Sequence, residues 1–390
     1  MSEFNAFLEL LRSALWQRPI DQSLFPATTD WKRMLAIANH QAVAGIISEG
    51  VPLLPEACRP SEELFSEMHR MSVANVRMHA RMNAVLTEVT TLLRKAEIPS
   101  LLLKGQGLAS LYPIPHSRQC GDIDLYVPKD YQDELLSLVR QWKKASHLVN
   151  SEKHLSFDYD GVCVELHYGT EHFYTPKVDK AYQRWSLNNL EYVLLIFMHP
   201  RGFQQPLTAK EVEDRYCRYI AVNGEIILIP CVEFDAIYLL HHLWNHFISS
   251  GIGLRQICDW CLFMRRYSSQ LETKKMRTLL TTFAFFPVWN LFASFAVRYM
   301  GMEWKDFPFA EPVEDAKVEK LMEIIWQEGN FGRRKPRPKG YIVGKVNMYW
   351  RVTKMIKAIY PFYPREVVGY YFYFMALGVK HFFLDWRHMK

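Results

Sequence analysis

The chain predicts an α+β fold in which a small α/β unit sits between two helical regions. Three patterns lead to that expectation. Apolar residues recur every three or four positions through residues 1–95, short apolar runs broken by Pro and Gly follow, and helical spacing returns from about Val232. The expected organisation is a helical N-terminal region over 1–95, an α/β core over 96–230 and a helical C-terminal domain over 231–390.

Phe4, Phe7, Leu8, Leu11 and Leu15 mark one face of a first helix, and apolar positions across 31–47 repeat the pattern. A Pro-containing break at 51–60 precedes a long helix over about 63–95. After Glu97-Ile-Pro, the run Ser100-Leu-Leu-Leu is short, apolar and bounded by breakers, which suits a buried strand. Lys104-Gly-Gln-Gly then leads into a short helix over 108–112, ended by Pro113 and Pro115. Residues 121–127, Gly-Asp-Ile-Asp-Leu-Tyr-Val, form the next strand, and Pro128-Lys-Asp opens a helix over about 131–144. His154–Tyr159 and 162–168 flank Asp160-Gly161, a two-residue hairpin signal. The later helical pattern breaks at 249–253 and around 329–340.

The composition bounds the class. With 390 residues, 49% hydrophobic and 23% charged, the chain has room for two or three domains with sizeable cores and is not a disordered one. Its net charge of +6 and pI near 8.8 fit an anionic substrate but fall short of a dedicated nucleic-acid binder, so a long polynucleotide partner is not expected. Seven cysteines, an odd number lying in mostly apolar stretches, do not form a secreted disulfide framework and point to a reducing cytoplasm. The first residues lack the basic and apolar segments of a signal peptide, and the apolar stretch 367–379 is too short to span a bilayer. A soluble cytoplasmic protein is the expectation. The dense basic run 333–339 contains two prolines and reads as a solvated loop, with phosphate or membrane contact as the other reading.

Chemistry is concentrated in residues 121–127. Side chains alternate along a strand, so Asp122 and Asp124 share one face while Ile123, Leu125 and Val127 face a core. The two acids are expected to point outward together, and like charges held this close favour a divalent cation between them. On the second hairpin strand Cys163, Glu165 and His167 share a face, making Glu165 a third carboxylate. If the two strands are neighbours, the three acids converge and hold two magnesium ions about 4 Å apart, the arrangement that clamps both oxygens of a phosphoryl displacement. The plainer alternative is a pair of acids solvating an edge strand. Gly121, Arg118, the glycine turn upstream and the apolar-flanked Glu165 together favour the functional reading.

Residues 101–127 resemble the core of the nucleotidyltransferase superfamily that includes DNA polymerase β and the aminoglycoside nucleotidyltransferases. More narrowly, they resemble the bacterial uncharacterised nucleotidyltransferase family, in which a Lys-Gly turn is coupled to an Arg…Gly-Asp-Ile-Asp strand and a later carboxylate-x-His strand. Here these are Lys104-Gly105, Arg118 with Gly121-Asp-Ile-Asp124, and Glu165-Leu-His167; the segment 241–262 also looks like that family's helical portion. The resemblance implies a polymerase β-like mixed sheet with flanking helices. It implies transfer of a nucleoside monophosphate from an NTP to an acceptor with release of pyrophosphate, using two Mg2+ ions or Mn2+ in their place. Asp122, Asp124 and Glu165 would be catalytic and bind the metal, and Glu165 would help deprotonate the acceptor. Nucleotide contacts are expected at Lys104, Gly105, Gly107, Arg118, Gly121 and Arg255, with backbone N–H groups at 105–107 cradling the triphosphate.

The superfamily's usual Gly-Ser or Gly-Gly turn is replaced by Lys104-Gly-Gln-Gly, so a serine contact to phosphate is missing and Lys104 or Arg118 would supply charge instead. Otherwise Lys104 is a surface lysine and Arg118 pairs with Asp122 or Asp124. His167 orients a carboxylate or the acceptor, or is a buried hydrogen-bonded histidine. His242 and His246 lie one helical turn apart, a spacing that can hold zinc, but no further ligand is evident and polar contact across the cleft is the plainer reading. Arg255 and Asp259 are likewise one turn apart and pair, unless Arg255 reaches the triphosphate. Cys258-x-x-Cys261 lies in an apolar helical pattern and reads as core.

Two classes of function follow. One is an enzyme acting on a small hydroxyl-bearing molecule such as a sugar, an antibiotic-like compound or a cell-envelope precursor, with RNA or a protein side chain as variants. The other is a non-catalytic or partner-binding protein that keeps the fold. For that class the basic and aromatic segment 349–390 is the candidate peripheral membrane or partner surface, its alternative being an aromatic-rich helical core.

Overall fold

The computed structural model describes residues 2–198, 210, 218–330 and 341–388. Helices α1 (Ser2–Trp16), α2 (Trp31–His40), α3 (Ala44–Gly50) and α4 (Glu62–Lys95) come first. The middle of the chain carries β1 (Leu101–Leu102), α5 (Gln106–Ala109), β2 (Asp122–Tyr126), α6 (Gln132–Arg140), β3 (Ala145–Asn150), β4 (His154–Tyr159), β5 (Val162–His167) and α7 (Pro176–Met198). A separate hairpin, β6 (Arg218–Val222) and β7 (Glu225–Ile229), precedes α8 (Val232–Ser249), α9 (Leu254–Tyr267), α10 (Thr273–Thr282), α11 (Phe286–Tyr299), α12 (Asp315–Glu328), α13 (Tyr341–Ile359) and α14 (Pro364–His388).

The fold is α+β around a five-stranded mixed sheet in the order β1-β2-β5-β4-β3. Only β2 and β5 run parallel; the other pairs are antiparallel. The β2–β5 register places Asp124 directly beside Glu165 and Asp122 beside Cys163. Period-two alternation then sends Ile123, Leu125, Val164 and Leu166 to the opposite face. There they meet Met82, Val85, Leu86, Val89 and Leu93 of α4 and Leu135 and Val139 of α6 in one buried cluster. Each such fully buried aliphatic side chain contributes about 1.5–3 kcal/mol, so register is fixed strongly: a one-residue slip would turn the acids into this apolar cluster and the aliphatics onto the acid-bearing face.

A second, larger core joins the two ends of the chain. Phe7 and Leu11 of α1 and Ile46 and Ile47 of α3 pack with Trp244, Phe263, Trp289 and Leu321 from the later helices. Phe4 and Phe7 meet Trp326 edge to face, and Trp16 Nε1 donates to Met300 O at 2.6 Å. Helices α8 and α9 extend from this core over the acid-bearing face of the sheet.

Several sequence expectations shift. Asp122 and Asp124 do share a face, but it is not a solvent face: Asp124 is 1% exposed because α8 and α9 cover it. The helix expected to reach residue 144 ends at Arg140, and Ala145–Asn150 is an unforeseen edge strand, mostly exposed, with an irregularity between Ser146 and Val149. The short helix forms at Gln106–Ala109 rather than 108–112. Asp160 and Gly161 do make the hairpin turn, with φ of 50° and 73°. The β6–β7 hairpin was not read from the sequence, although Asn223 and Gly224 turn it with φ of 50° and 83°. The run 333–339 lies outside the described residues.

The C-terminal aromatics divide by face. Val352, Ile359, Phe362, Tyr363, Val367 and Tyr370 are buried, and Tyr370 and Tyr373 pack on Tyr174. Trp350 and Phe372 point away, at 62% and 68% exposure. Among the described residues no single helix is long and apolar enough to cross a membrane; α10 and α11 qualify together by length and composition only as a pair bent by 117°.

Candidate active site

Three carboxylates converge where β2 and β5 run side by side. One oxygen each from Asp122, Asp124 and Glu165 lies within 4.8 Å of the others. They line a cavity of about 220 Å3 closed by Lys104 and Gly105 from the turn after β1, by His242 and His246 of α8, and by Arg255 of α9. The turn needs glycine at 105 because its φ is 65°, a backbone conformation that other residues rarely adopt. Gly253 is required for a different reason, since its Cβ would lie 2.4 Å from Gln41 O. That close approach seats the start of α9, and with it Arg255, against the loop after α2.

Asp124 is the centre of the electrostatics. Lys104 Nζ lies 3.3 Å from its Oδ1, and His167 Nε2 donates to the same oxygen at 2.9 Å. Burial works to raise the Asp124 carboxyl, but these two cations hold it well below the usual range. Its Oδ2 is buried with no hydrogen-bond partner. Asp122 is pushed up, first by the Asp124 charge and then by burial. Glu165 is held low by a hydrogen bond from His167, at 3.2 Å. Burial pulls the His167 imidazole down, yet its bonds to Asp124 and Glu165 raise it to about 9. Two closely spaced acids, an orphaned buried oxygen and an all-oxygen donor set fit a hard divalent cation.

Lys104 also reaches His242 Nε2 at 3.3 Å, and His242 Nδ1 is hydrogen-bonded to Glu171. Glu171 therefore fixes the His242 tautomer. Burial would raise the Glu171 carboxyl, but His242 and Lys104 keep it well below its ordinary value. Glu171 was not singled out in the sequence; it follows β5 in an irregular segment with no periodicity to mark it.

Two expected pairings come out differently. Arg118 pairs with neither Asp122 nor Asp124, because it is buried against Asp259, with Nε–Oδ1 at 2.7 Å and Nη2–Oδ2 at 2.9 Å. The Tyr112 hydroxyl donates to the same carboxylate at 2.7 Å. Asp259 thus pairs with Arg118 rather than with Arg255, one turn away. Arg255 instead donates to Gln119 O, and its Nε is buried without a partner. Lys104 is not a surface lysine but an ion-pair partner of Asp124. Gly107 lies against Leu102 and Ile229, and Gly121 has open space around it. His242 and His246 meet edge to face, 4.5 Å between centroids. Cys258 and Cys261 are fully buried core residues.

The histidines of α8 predict an acid sensitivity. His241 is fully buried, stacked on Phe173 at 3.9 Å, and burial above all drives it down to about 3; the same cause takes His246 to about 3. Both stay neutral in the folded protein while the unfolded chain takes up protons below about pH 6.5. Stability is therefore lost as pH falls from about 6.5 toward 3. Asp235, pushed up to about 7 by burial, offsets part of this. His241→Phe, which keeps the stack on Phe173, is expected to flatten the loss by about one proton, or ~1.4 kcal/mol per pH unit. Urea titrations at pH 6.5 and 5 check this; an unchanged difference between the two pH values would refute it.

The sequence matches the model of a family described as uncharacterised nucleotidyltransferase over residues 27–193 and 194–301. No curated protein matches it significantly. Among solved structures it is similar to the antibiotic-resistance factor ANT(2'')-Ia, at 10% identity over 52% of this chain and 91% of that one, with a TM-score of 0.33. It is also similar to an antigenic nucleotidyltransferase-like protein from Paracoccidioides brasiliensis, at 15% identity over 51% of this chain and 85% of that one, with a TM-score of 0.29.

Proposed function

Because the chain belongs to the uncharacterised nucleotidyltransferase family, we propose that it moves a nucleoside monophosphate from an NTP to a hydroxyl-bearing small molecule and releases pyrophosphate. The observation that carries this reading is the convergence of Asp122, Asp124 and Glu165 on one cavity, with Asp124 Oδ2 buried and unpartnered. Two magnesium ions, or manganese in their place, would be held by these three carboxylates and would supply Lewis-acid stabilisation of the transferred phosphoryl group.

The chain's own residues do the rest. Lys104 and His167 fix one oxygen of Asp124, which leaves the other for the cation. Lys104 and Arg255 bring positive charge to the cavity wall, and the unpartnered Arg255 Nε is suited to a triphosphate oxygen. Arg118, committed to Asp259, positions the loop that carries Gly121 and Asp122 rather than gripping phosphate. Glu165, kept ionised by His167, takes the proton from the acceptor hydroxyl as that oxygen bonds to the α-phosphorus and the bond to the β-phosphate breaks. His242, oriented by Glu171, lines the carboxylate cavity beside Lys104.

The small-molecule acceptor has a separate support. A second cavity of about 600 Å3 adjoins the first at His246 and is lined by Glu171, Phe173, Tyr174, Asn245 and Tyr373. Aromatic surface with a few polar groups is the lining expected for a small polar ligand.

The test is a metabolite-pool assay of pyrophosphate release with each of ATP, GTP, CTP and UTP at millimolar Mg2+, alongside thermal stabilisation by the same nucleotides. A magnesium-dependent shift with at least one NTP, and release that needs an added acceptor, is the expected result. No shift and no release with any nucleotide would sink the reading.

A further inference from the structure

Beside the three acids lies a second group of ligand atoms, of a different chemistry. His154 on β4 stands directly opposite His167 on β5, with ring centroids 5.3 Å apart. Glu165 precedes His167 by two residues and so shares its face. One nitrogen from each ring and one Glu165 oxygen all lie within 4.8 Å of one another. His154 and His167 open on a cavity of about 280 Å3 that is also lined by Lys129, Tyr168 and Glu171, whereas Glu165 opens on the nucleotide cavity. The group thus has its own approach from solvent.

We propose that His154, His167 and Glu165 form a second cation site, for zinc-class ions, that competes with the catalytic acids for Glu165. Two imidazoles and one carboxylate are the donor set of three-ligand zinc sites, with the fourth position left to water. Imidazole nitrogen favours Zn2+, Co2+ and Ni2+, whereas Mg2+ takes oxygen donors, so the two groups select different ions. An ion held by His167 Nε2 replaces both of that nitrogen's present contacts, with Glu165 Oε2 at 3.2 Å and with Asp124 Oδ1 at 2.9 Å. When Glu165 turns to an ion between the rings, Asp122 and Asp124 lose their third carboxylate. Zinc therefore inhibits the transferase. The inhibition, though not the binding, rests on the function proposed above.

Binding is tested on the full chain by following Co2+ titration through visible absorption and Zn2+ by calorimetry, both in millimolar Mg2+. The wild type is expected to bind one Co2+, displaced by Zn2+. His154→Gln should weaken both by at least about tenfold, as expected on losing a ligand, and Asp122→Asn should leave them unchanged. A wild type that binds neither ion overturns the site whatever the variants do, as does a folded His154→Gln that binds as tightly. In the assay of pyrophosphate release, Zn2+ should inhibit the wild type and spare His154→Gln. Binding without inhibition would mean that Glu165 bridges both sites and would overturn the competition. If no NTP turns over at all, the functional reading fails and the titrations still decide the site.

Discussion

Asp122→Asn is expected to cut nucleotidyl transfer at least about a thousandfold while raising the melting temperature of the ligand-free protein. The two effects have one cause. Asp122 is held close to Asp124, whose charge raises its pKa, and burial adds to the strain. Removing the Asp122 charge relieves that repulsion. It also removes a donor from a cluster expected to supply about 4 kcal/mol of charge stabilisation in the transition state, or about three powers of ten in rate. Asp124→Asn should lower activity as much but with the opposite effect on stability. Asp124 is the anion on which Lys104 and His167 both rest, and removing one partner of a buried ion pair costs about 3–5 kcal/mol. Opposite signs on stability with the same sign on activity are the signature of a cation site whose acids are set by function. Thermal melts with and without Mg2+, read beside initial rates, measure both. If Asp122→Asn destabilises the protein as Asp124→Asn does, the two acids are structural and the reading falls.

The sequence carried this contrast only in part. That Asp122 and Asp124 share a face is a consequence of strand period alone, and their proximity to Glu165 required only that the two strands be neighbours. What period could not supply is the cover. The burial of Asp124 depends on α8 and α9, more than a hundred residues later, lying across the sheet, and no local pattern encodes that. The same limit explains the pairings. Arg118 was read against its neighbours in sequence, Asp122 and Asp124, but its partner Asp259 is 141 residues away. Lys104 looked like a candidate surface lysine because the residues that surround it, Asp124 and His242, come from two other elements. The missed edge strand Ala145–Asn150 shows no alternation because its register shifts between Ser146 and Val149, where His147 has a φ of 52°. The β6–β7 hairpin is a different kind of miss: Asn223-Gly224 is as strong a turn signal as Asp160-Gly161 and sits between two short apolar runs, Tyr219–Val222 and Ile226–Ile229. The long helix Pro176–Met198 likewise had a start signal in its proline.

Breaking the Arg118–Asp259 pair is the second large effect expected. Both side chains are 6% exposed, the geometry is bidentate, and Tyr112 adds a third hydrogen bond to the same carboxylate. Asp259→Leu leaves the guanidinium buried without its counter-charge, which costs about 3–5 kcal/mol. Much of that should return in Asp259→Leu combined with Arg118→Met, because an apolar pair of similar volume removes the uncompensated charge as well as the attraction. The double variant separates stability from function. Arg118 also donates to Cys120 Sγ at 2.9 Å and its carbonyl accepts from His79 at 3.2 Å, so it ties α4, the loop before Gly121 and α9 together at one point. With that tie replaced by apolar contact, the fold should survive while the loop bearing Asp122 loses its fixed distance from Arg255. The expected outcome is recovery in urea denaturation of most of the lost stability, with magnesium-dependent NTP stabilisation still weakened. Recovery of both would make Arg118–Asp259 a packing device only. Recovery of neither would mean that the pair contributes net stability that no apolar substitute supplies.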